Sequence, residues 1–174
     1  MQVLVTGANG HLGFNLVKAL LEAGHGVRGS VRSLADTAKT ARLKALGGVD
    51  LVEAELHRPD QLRSAMAGVE ILFHAAAVYA YTTPGRETAI LDASIKGVAV
   101  TLHAAADAGV RKVVLTSSIA TLPLTAPGAP PVDETHWTND LRVPYLRAKT
   151  EGEQAAWRIA RELGIKLVTV LPGA

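Results

Sequence analysis

Apolar residues along the chain fall into short continuous runs separated by stretches of helical spacing. Residues 2–6 (Gln-Val-Leu-Val-Thr) are the first run and read as a buried strand. Residues 11–23 follow with Leu12, Leu16, Ala19, Leu20 and Ala23 on one face, the period of an amphipathic helix that Gly24 ends. The alternation then repeats. A second strand is predicted over 26–31 and a helix over 34–46, closed by Gly47-Gly48. A third strand follows at 49–53, with a short helix at 60–67 behind Pro59. A fourth strand covers 70–74, and a long helix over 86–108 stops at Gly109. The fifth strand, 111–117, leads into a proline-rich loop over 119–143. Pro144, preformed for the first helical position, opens a helix that runs to 163, and a last strand covers 165–170.

Six short strands alternating with helices specify an α/β fold with a parallel sheet and helices on both faces. Right-handed crossovers make this the Rossmann-type doubly wound arrangement. The 174 residues suffice for one domain with its own core, spanning 1–174, and no repeat or linker interrupts them. Sixteen glycines and 48% hydrophobic residues suit close-packed layers. The chain has no cysteine, which excludes disulfides, thiolate metal sites and cysteine nucleophiles. A net charge of +2 from scattered basic residues leaves no electrostatic footprint for nucleic acid. No apolar run reaches the roughly 18 residues of a membrane helix, and Met1 to Val5 is too short for a secretory h-region. The expectation is a cytoplasmic protein without a membrane partner. His11, His25, His57, His74, His103 and His136 show neither i,i+4 pairing nor an H-E-x-x-H motif, so no metal site is expected.

The loop Thr6-Gly7-Ala8-Asn9-Gly10-His11-Leu12-Gly13 joins the first strand to the first helix with glycines at G-x-x-G-x-x-G spacing. A tight turn, close backbone approach to a pyrophosphate and close helix packing each demand a residue without Cβ. Amides at the start of the helix then face the phosphates, aided by the helix dipole. A glycine turn without a ligand would carry the same spacing; the position between first strand and first helix favours the phosphate reading. NAD sites usually place an acidic residue at the end of the second strand. Here Val27-Arg28-Gly29-Ser30-Val31-Arg32-Ser33 has none, and Arg32, with Lys39 in the next helix, suits a 2′-phosphate. NADP(H) is therefore favoured over NAD(H), although a solvated arginine is the ordinary alternative.

Tyr145 and Lys149 stand four apart at the start of a predicted helix and so share a face. An ammonium beside a phenol stabilises the phenolate, and the positive end of the helix acts in the same sense. Such a tyrosine can exchange a proton with a carbinol oxygen while hydride moves at carbon. Thr116-Ser117-Ser118 ends the fifth strand, where open α/β sheets bind ligands, and a hydroxyl there can hold the substrate oxygen. An incidental helix pair and a capping serine are the plain alternatives.

With these elements in order, the chain resembles the extended short-chain dehydrogenase/reductase family. The likeness covers nearly all 174 residues and is closest to the dihydroflavonol-reductase-like branch. The resemblance implies that Gly7, Gly10 and Gly13, with the intervening Asn9, His11 and Leu12, hold the pyrophosphate. It puts Arg32 and Lys39 at the adenosine 2′-phosphate and Glu55-Leu56 beside the adenine, where the family often has Asp-Leu. His74-Ala75-Ala76-Ala77 matches the strand-four ending that lines the cofactor. Ser118 is the match for the catalytic serine, with Ser117 the alternate. Tyr145 is the acid/base, and Lys149 holds the ribose hydroxyls and tunes it. Pro172-Gly173 matches the turn that passes the nicotinamide. Ser94 stands where many members carry an asparagine that supports the lysine through water.

The implied activity is NADP(H)-dependent interconversion of a carbonyl and a secondary alcohol in a small molecule. Sugar-nucleotide epimerases and dehydratases share these residues and are the alternative. A non-catalytic NADP-binding sensor, or an inactive fragment, is the alternative from a different class. The family continues beyond Pro172-Gly173 into a further strand and a C-terminal substrate region that the chain as given lacks. The 86–108 helix and the Tyr145 helix often form a homodimer interface in the family. Trp137 in the proline-rich loop is a candidate cover for substrate, and Trp157 is a packing residue. Tyr79, Tyr81, Leu122 and Leu124 line either an apolar substrate site or a surface loop.

Overall fold

The computed structural model describes residues 1–76 and 87–173. Its elements run β1 (Gln2–Thr6), α1 (His11–Glu22), β2 (Gly26–Val31), α2 (Thr37–Leu46), β3 (Val49–Glu53), α3 (Pro59–Met66), β4 (Ile71–His74), α4 (Glu87–Asp107), β5 (Lys112–Thr116), α5 (Pro144–Leu163) and β6 (Lys166–Val170). All strands are parallel in the order β3-β2-β1-β4-β5-β6, the expected doubly wound sheet. The order reverses between β1 and β4, so a crevice opens above their C-terminal ends.

Burial on both faces explains why β1 reads as an unbroken apolar run. In β1, Val3 and Val5 pack with Val17, Val27, Val31 and Leu43 under α1 and α2. Leu4 points the other way and joins Leu62, Met66, Leu72, Leu102, Val113 and Ile159 under α3, α4 and α5. Arg28 is consumed by the scaffold: its guanidinium donates to Asp50 at 2.7 Å and to the carbonyls of Ala65 and Ala67 at 2.8 and 3.0 Å.

The element boundaries differ from expectation where local hydrogen bonds outweigh periodicity. α2 begins at Thr37 rather than 34, because the Asp36 carboxylate accepts the Lys39 amide and Ser33 Oγ accepts the Ala35 amide. α1 stops at Glu22, one residue early. The amides of Gly24 and His25 bond back to Leu21 and Leu20, and Gly24 takes φ +78. α4 closes in the same manner before Gly109. The loop at 119–143 is not wholly irregular: Ile119–Thr121 forms a 3₁₀ turn, with Thr121 accepting the Thr138 amide at 2.8 Å.

Candidate active site

Gly7 turns the chain out of β1 with φ +67. A Cβ there would lie 2.9 Å from Ala76 Cα, so the loop and the end of β4 touch only because Gly7 lacks one. At Gly13 a Cβ would lie 2.1 Å from the Gly7 carbonyl oxygen, which forces glycine where α1 leaves the loop. The first helical bond is Phe14 N–H to the Gly10 carbonyl, and no side chain caps the helix. The amides of His11, Leu12 and Gly13 are therefore left for a ligand. α1 also carries no acidic residue in its first turn to oppose an anion.

These residues border a groove of about 490 Å³ lined by Gly7, Asn9, Gly10, Ser30, Val31, Arg32, Ala54, Glu55, Leu56, His57, Ala75 and Ala76. Arg32 is exposed and has no ion pair among the described residues. Lys39 does not line the groove; its exposed ammonium pairs with Asp36 at 2.7 Å, three residues before it. That hydrogen bond with Lys39 holds the Asp36 carboxyl below its usual range. His57 belongs to the groove, and sequence reasoning missed it. Ala77, Tyr79 and Tyr81 lie outside the described residues. The volume, the bare amides and the free guanidinium suit an elongated anionic ligand such as a dinucleotide.

A second cavity, of about 50 Å³, adjoins the groove, and Leu56 and Ala76 line both. Its polar groups are His74, Ser94, Thr116, Ser117, Lys149 and Glu153. His74 is buried, with Nδ1 2.8 Å from Thr6 Oγ1, which also accepts the Ala76 amide at 3.2 Å. Burial first, and the Lys149 charge second, push its pKa down to about 4, so the ring is neutral at pH 7. Lys149 Nζ lies 5.9 Å from the centre of the Tyr145 ring. Burial lowers the Lys149 pKa, and the charge of Glu153 opposes that.

The two serines differ in partners. Ser117 Oγ donates to the Glu153 carboxylate, while Ser118 Oγ accepts the Ala120 amide at 3.1 Å and starts the 3₁₀ turn. The Pro172 carbonyl accepts the Ile119 amide at 3.2 Å, which brings the Pro172-Gly173 turn beside Ser118. Trp137 and Leu122 line a separate cavity of about 70 Å³ with Trp157, and Leu124 is 97% exposed. Trp157 packs against the core, as expected, and also donates to Glu153 at 3.3 Å. No group of three or more His, Asp or Glu among the described residues could hold a metal ion, and no described helix is long and apolar enough to cross a membrane.

Residues 3–173 match the NAD dependent epimerase/dehydratase family. The chain belongs to this family. Curated relatives within it include tetraketide alpha-pyrone reductase 1 of Arabidopsis thaliana, 38% identical over 98% of this chain and 56% of that protein. Dihydroflavonol 4-reductase of Zea mays is 36% identical over 98% of this chain and 51% of its own length. The crystal structure of gox2253 superposes with a TM-score of 0.83 at 37% identity, covering 98% of this chain and 50% of that one. The chain thus spans about half the length of the relatives it matches. These likenesses bear out the extended short-chain dehydrogenase/reductase fold and its dihydroflavonol-reductase-like branch.

Glu153 is the main residue that sequence reasoning passed over. It stands four after Lys149 on the same face, a spacing that a solvated helix face shares. Trp157 reaches it by helix spacing alone, but Ser117, 36 positions away, is brought to it only by the folded chain.

Proposed function

We propose that the chain carries the cofactor and catalytic half of an NADP(H)-dependent oxidoreductase that interconverts a small carbonyl compound and a secondary alcohol. The observation behind this reading is the continuity of two cavities across Leu56 and Ala76: one edged by the glycine-loop amides and by an arginine with no ion pair among the described residues, the other by the Ser/Lys wall. Gly7, Gly10 and Gly13 give the pyrophosphate its close approach, and the amides of His11, Leu12 and Gly13 bind it. Arg32 takes the adenosine 2′-phosphate, and Lys39, which does not line the groove, adds little to it. Glu55 and His57 face the adenosine end of the groove. Bound there, the nicotinamide supplies hydride exchange with the substrate carbon.

The chain's own groups handle the proton. Tyr145 exchanges it at the phenolic oxygen, with the Lys149 ammonium standing 5.9 Å from the centre of its ring. Ser118 holds the substrate oxygen by hydrogen bond. Ala75 and Ala76 bring bare backbone and a small side chain to the passage between the cavities, leaving room for a flat ring.

Titration with NADPH and NADH, following nicotinamide fluorescence, tests the binding half. NADPH is expected to bind at least about tenfold more tightly, the scale of one charge-assisted phosphate contact, and Arg32→Ala is expected to erase that margin without changing NADH affinity. Binding of neither dinucleotide would overturn the reading for this chain. Tyr145→Phe is expected to keep dinucleotide affinity and abolish NADPH consumption with small aldehydes and ketones. Unchanged consumption would remove Tyr145 from the chemistry.

A further inference from the structure

Glu153 is 5% exposed, and both of its oxygens are engaged from within the fold. One accepts the Ser117 hydroxyl at the end of β5, and the other accepts the Trp157 indole N–H at 3.3 Å. Both donors are neutral. A buried carboxylate is costly without a nearby positive charge, and among the described residues the one cation on the cavity it lines is Lys149, one turn earlier on α5. The other ionisable groups facing Lys149 are His74 from β4 and Tyr145 from α5. α4 and β5 offer the cavity no ionisable side chain among the described residues.

We propose that Glu153 is a positioning residue for this site: its carboxylate fixes Ser117 against α5 and supplies the negative charge that faces the Lys149 ammonium across the cavity. Two consequences follow from the geometry. Ser117 and Ser118 are neighbours, so anchoring the first sets where the second hydroxyl stands relative to α5, which also carries Tyr145. The ammonium, half buried between a neutral imidazole and a phenol ring, keeps its proton because Glu153 offsets its loss of hydration. The importance of this for proton exchange rests on the oxidoreductase reading above; the electrostatic pairing does not.

The test reads Lys149 directly on the full chain. Protein labelled with ¹³C-lysine is titrated by NMR, and the Lys149 Cε resonance is assigned by its loss in Lys149→Arg. Glu153→Gln is expected to move the Lys149 midpoint to lower pH, and Glu153→Asp to return it toward that of the unsubstituted chain. A midpoint that stays in place or rises in Glu153→Gln would overturn the proposal, because a purely structural staple lowers the melting temperature without moving the titration. Should the glutamine variant not fold, Glu153→Met is titrated in its place, since an apolar side chain of similar size suits a buried position. A Lys149 midpoint below that of the unsubstituted chain is expected, and an unchanged or raised one would overturn the proposal. NADPH binding by the same samples separates the two readings. A chain that binds no dinucleotide defeats the oxidoreductase reading and leaves the titration result standing.

Discussion

His74 ties the stability of this domain to pH in a window that can be isolated. The imidazole is 3% exposed and is pushed down to about 4 by burial, with the Lys149 charge adding to the effect. In the unfolded chain it takes up a proton near its ordinary 6.5. Between these values the unfolded state binds more protons than the folded one, so stability falls as the pH drops through 6.5 and continues to fall until about 4. Across the full window the loss is roughly 3 kcal/mol, and between pH 7.5 and 5.0 it is about 2 kcal/mol. Asp36, Asp133 and Asp140 are all held below the usual carboxylate range by local hydrogen bonds. Their contributions are lost only at lower pH, so stopping at pH 5.0 keeps them out of the measurement. Urea unfolding at the two pH values, on the unsubstituted chain and on His74→Gln, reads the difference. The chain is expected to lose about 2 kcal/mol on acidification, and the variant to lose little. Equal losses in both would refute the assignment of this acid sensitivity to His74.

Three further outcomes follow from the geometry. Gly13→Ala places a methyl 2.1 Å from the Gly7 carbonyl oxygen and is expected to cost about 2 kcal/mol or more in urea unfolding, together with dinucleotide binding. Gly152→Ala meets nothing within 4 Å in the middle of α5 and is expected to stabilise the fold by about 1 kcal/mol, read as a raised Tm. Lys39→Ala is expected to leave NADPH affinity unchanged in the same fluorescence titration that Arg32→Ala perturbs, because Lys39 does not line the groove.

The first strand was legible because both of its faces are buried, so the run Val3-Leu4-Val5 alone marks β1; β2 and β3, which carry Arg28, Asp50 and Glu53, were legible from their place between helices closed by glycines. The start of α2 lies three residues after the expected one although its signal was present: Asp36 is a capping residue whose carboxylate accepts the Lys39 amide. The glycine loop was legible at each of its three positions because its demands are steric and local. For Lys39 the letters leave two partners open, an i,i+3 carboxylate and a more distant phosphate, and the folded chain shows the first. Ser117 and Ser118 are indistinguishable as letters. Their roles separate through a carboxylate 36 positions away from the first and a 3₁₀ turn begun by the second. His74 was visible as part of a strand ending, but its neutrality comes from burial against Thr6 and Lys149, neither of which lies near it in sequence.

The central place of β1 also sets a timetable. Gln2 pairs with Gly26 on β2, a short crossover away, whereas Thr6 meets His74 on β4 across 68 positions. At about 5–20 residues per second, a ribosome needs roughly 3–14 s to deliver that second partner. During the interval β1, β2 and β3 can pair and bring Arg32 and Glu55 to one rim, while the other flank of β1 stays open. The contact of Ala76 with Gly7, which floors the groove, closes only when β4 arrives. Nascent chains arrested just before and just after β4 emerges should therefore differ sharply in protease resistance around residues 2–10, with the β1 flank exposed in the first and covered in the second.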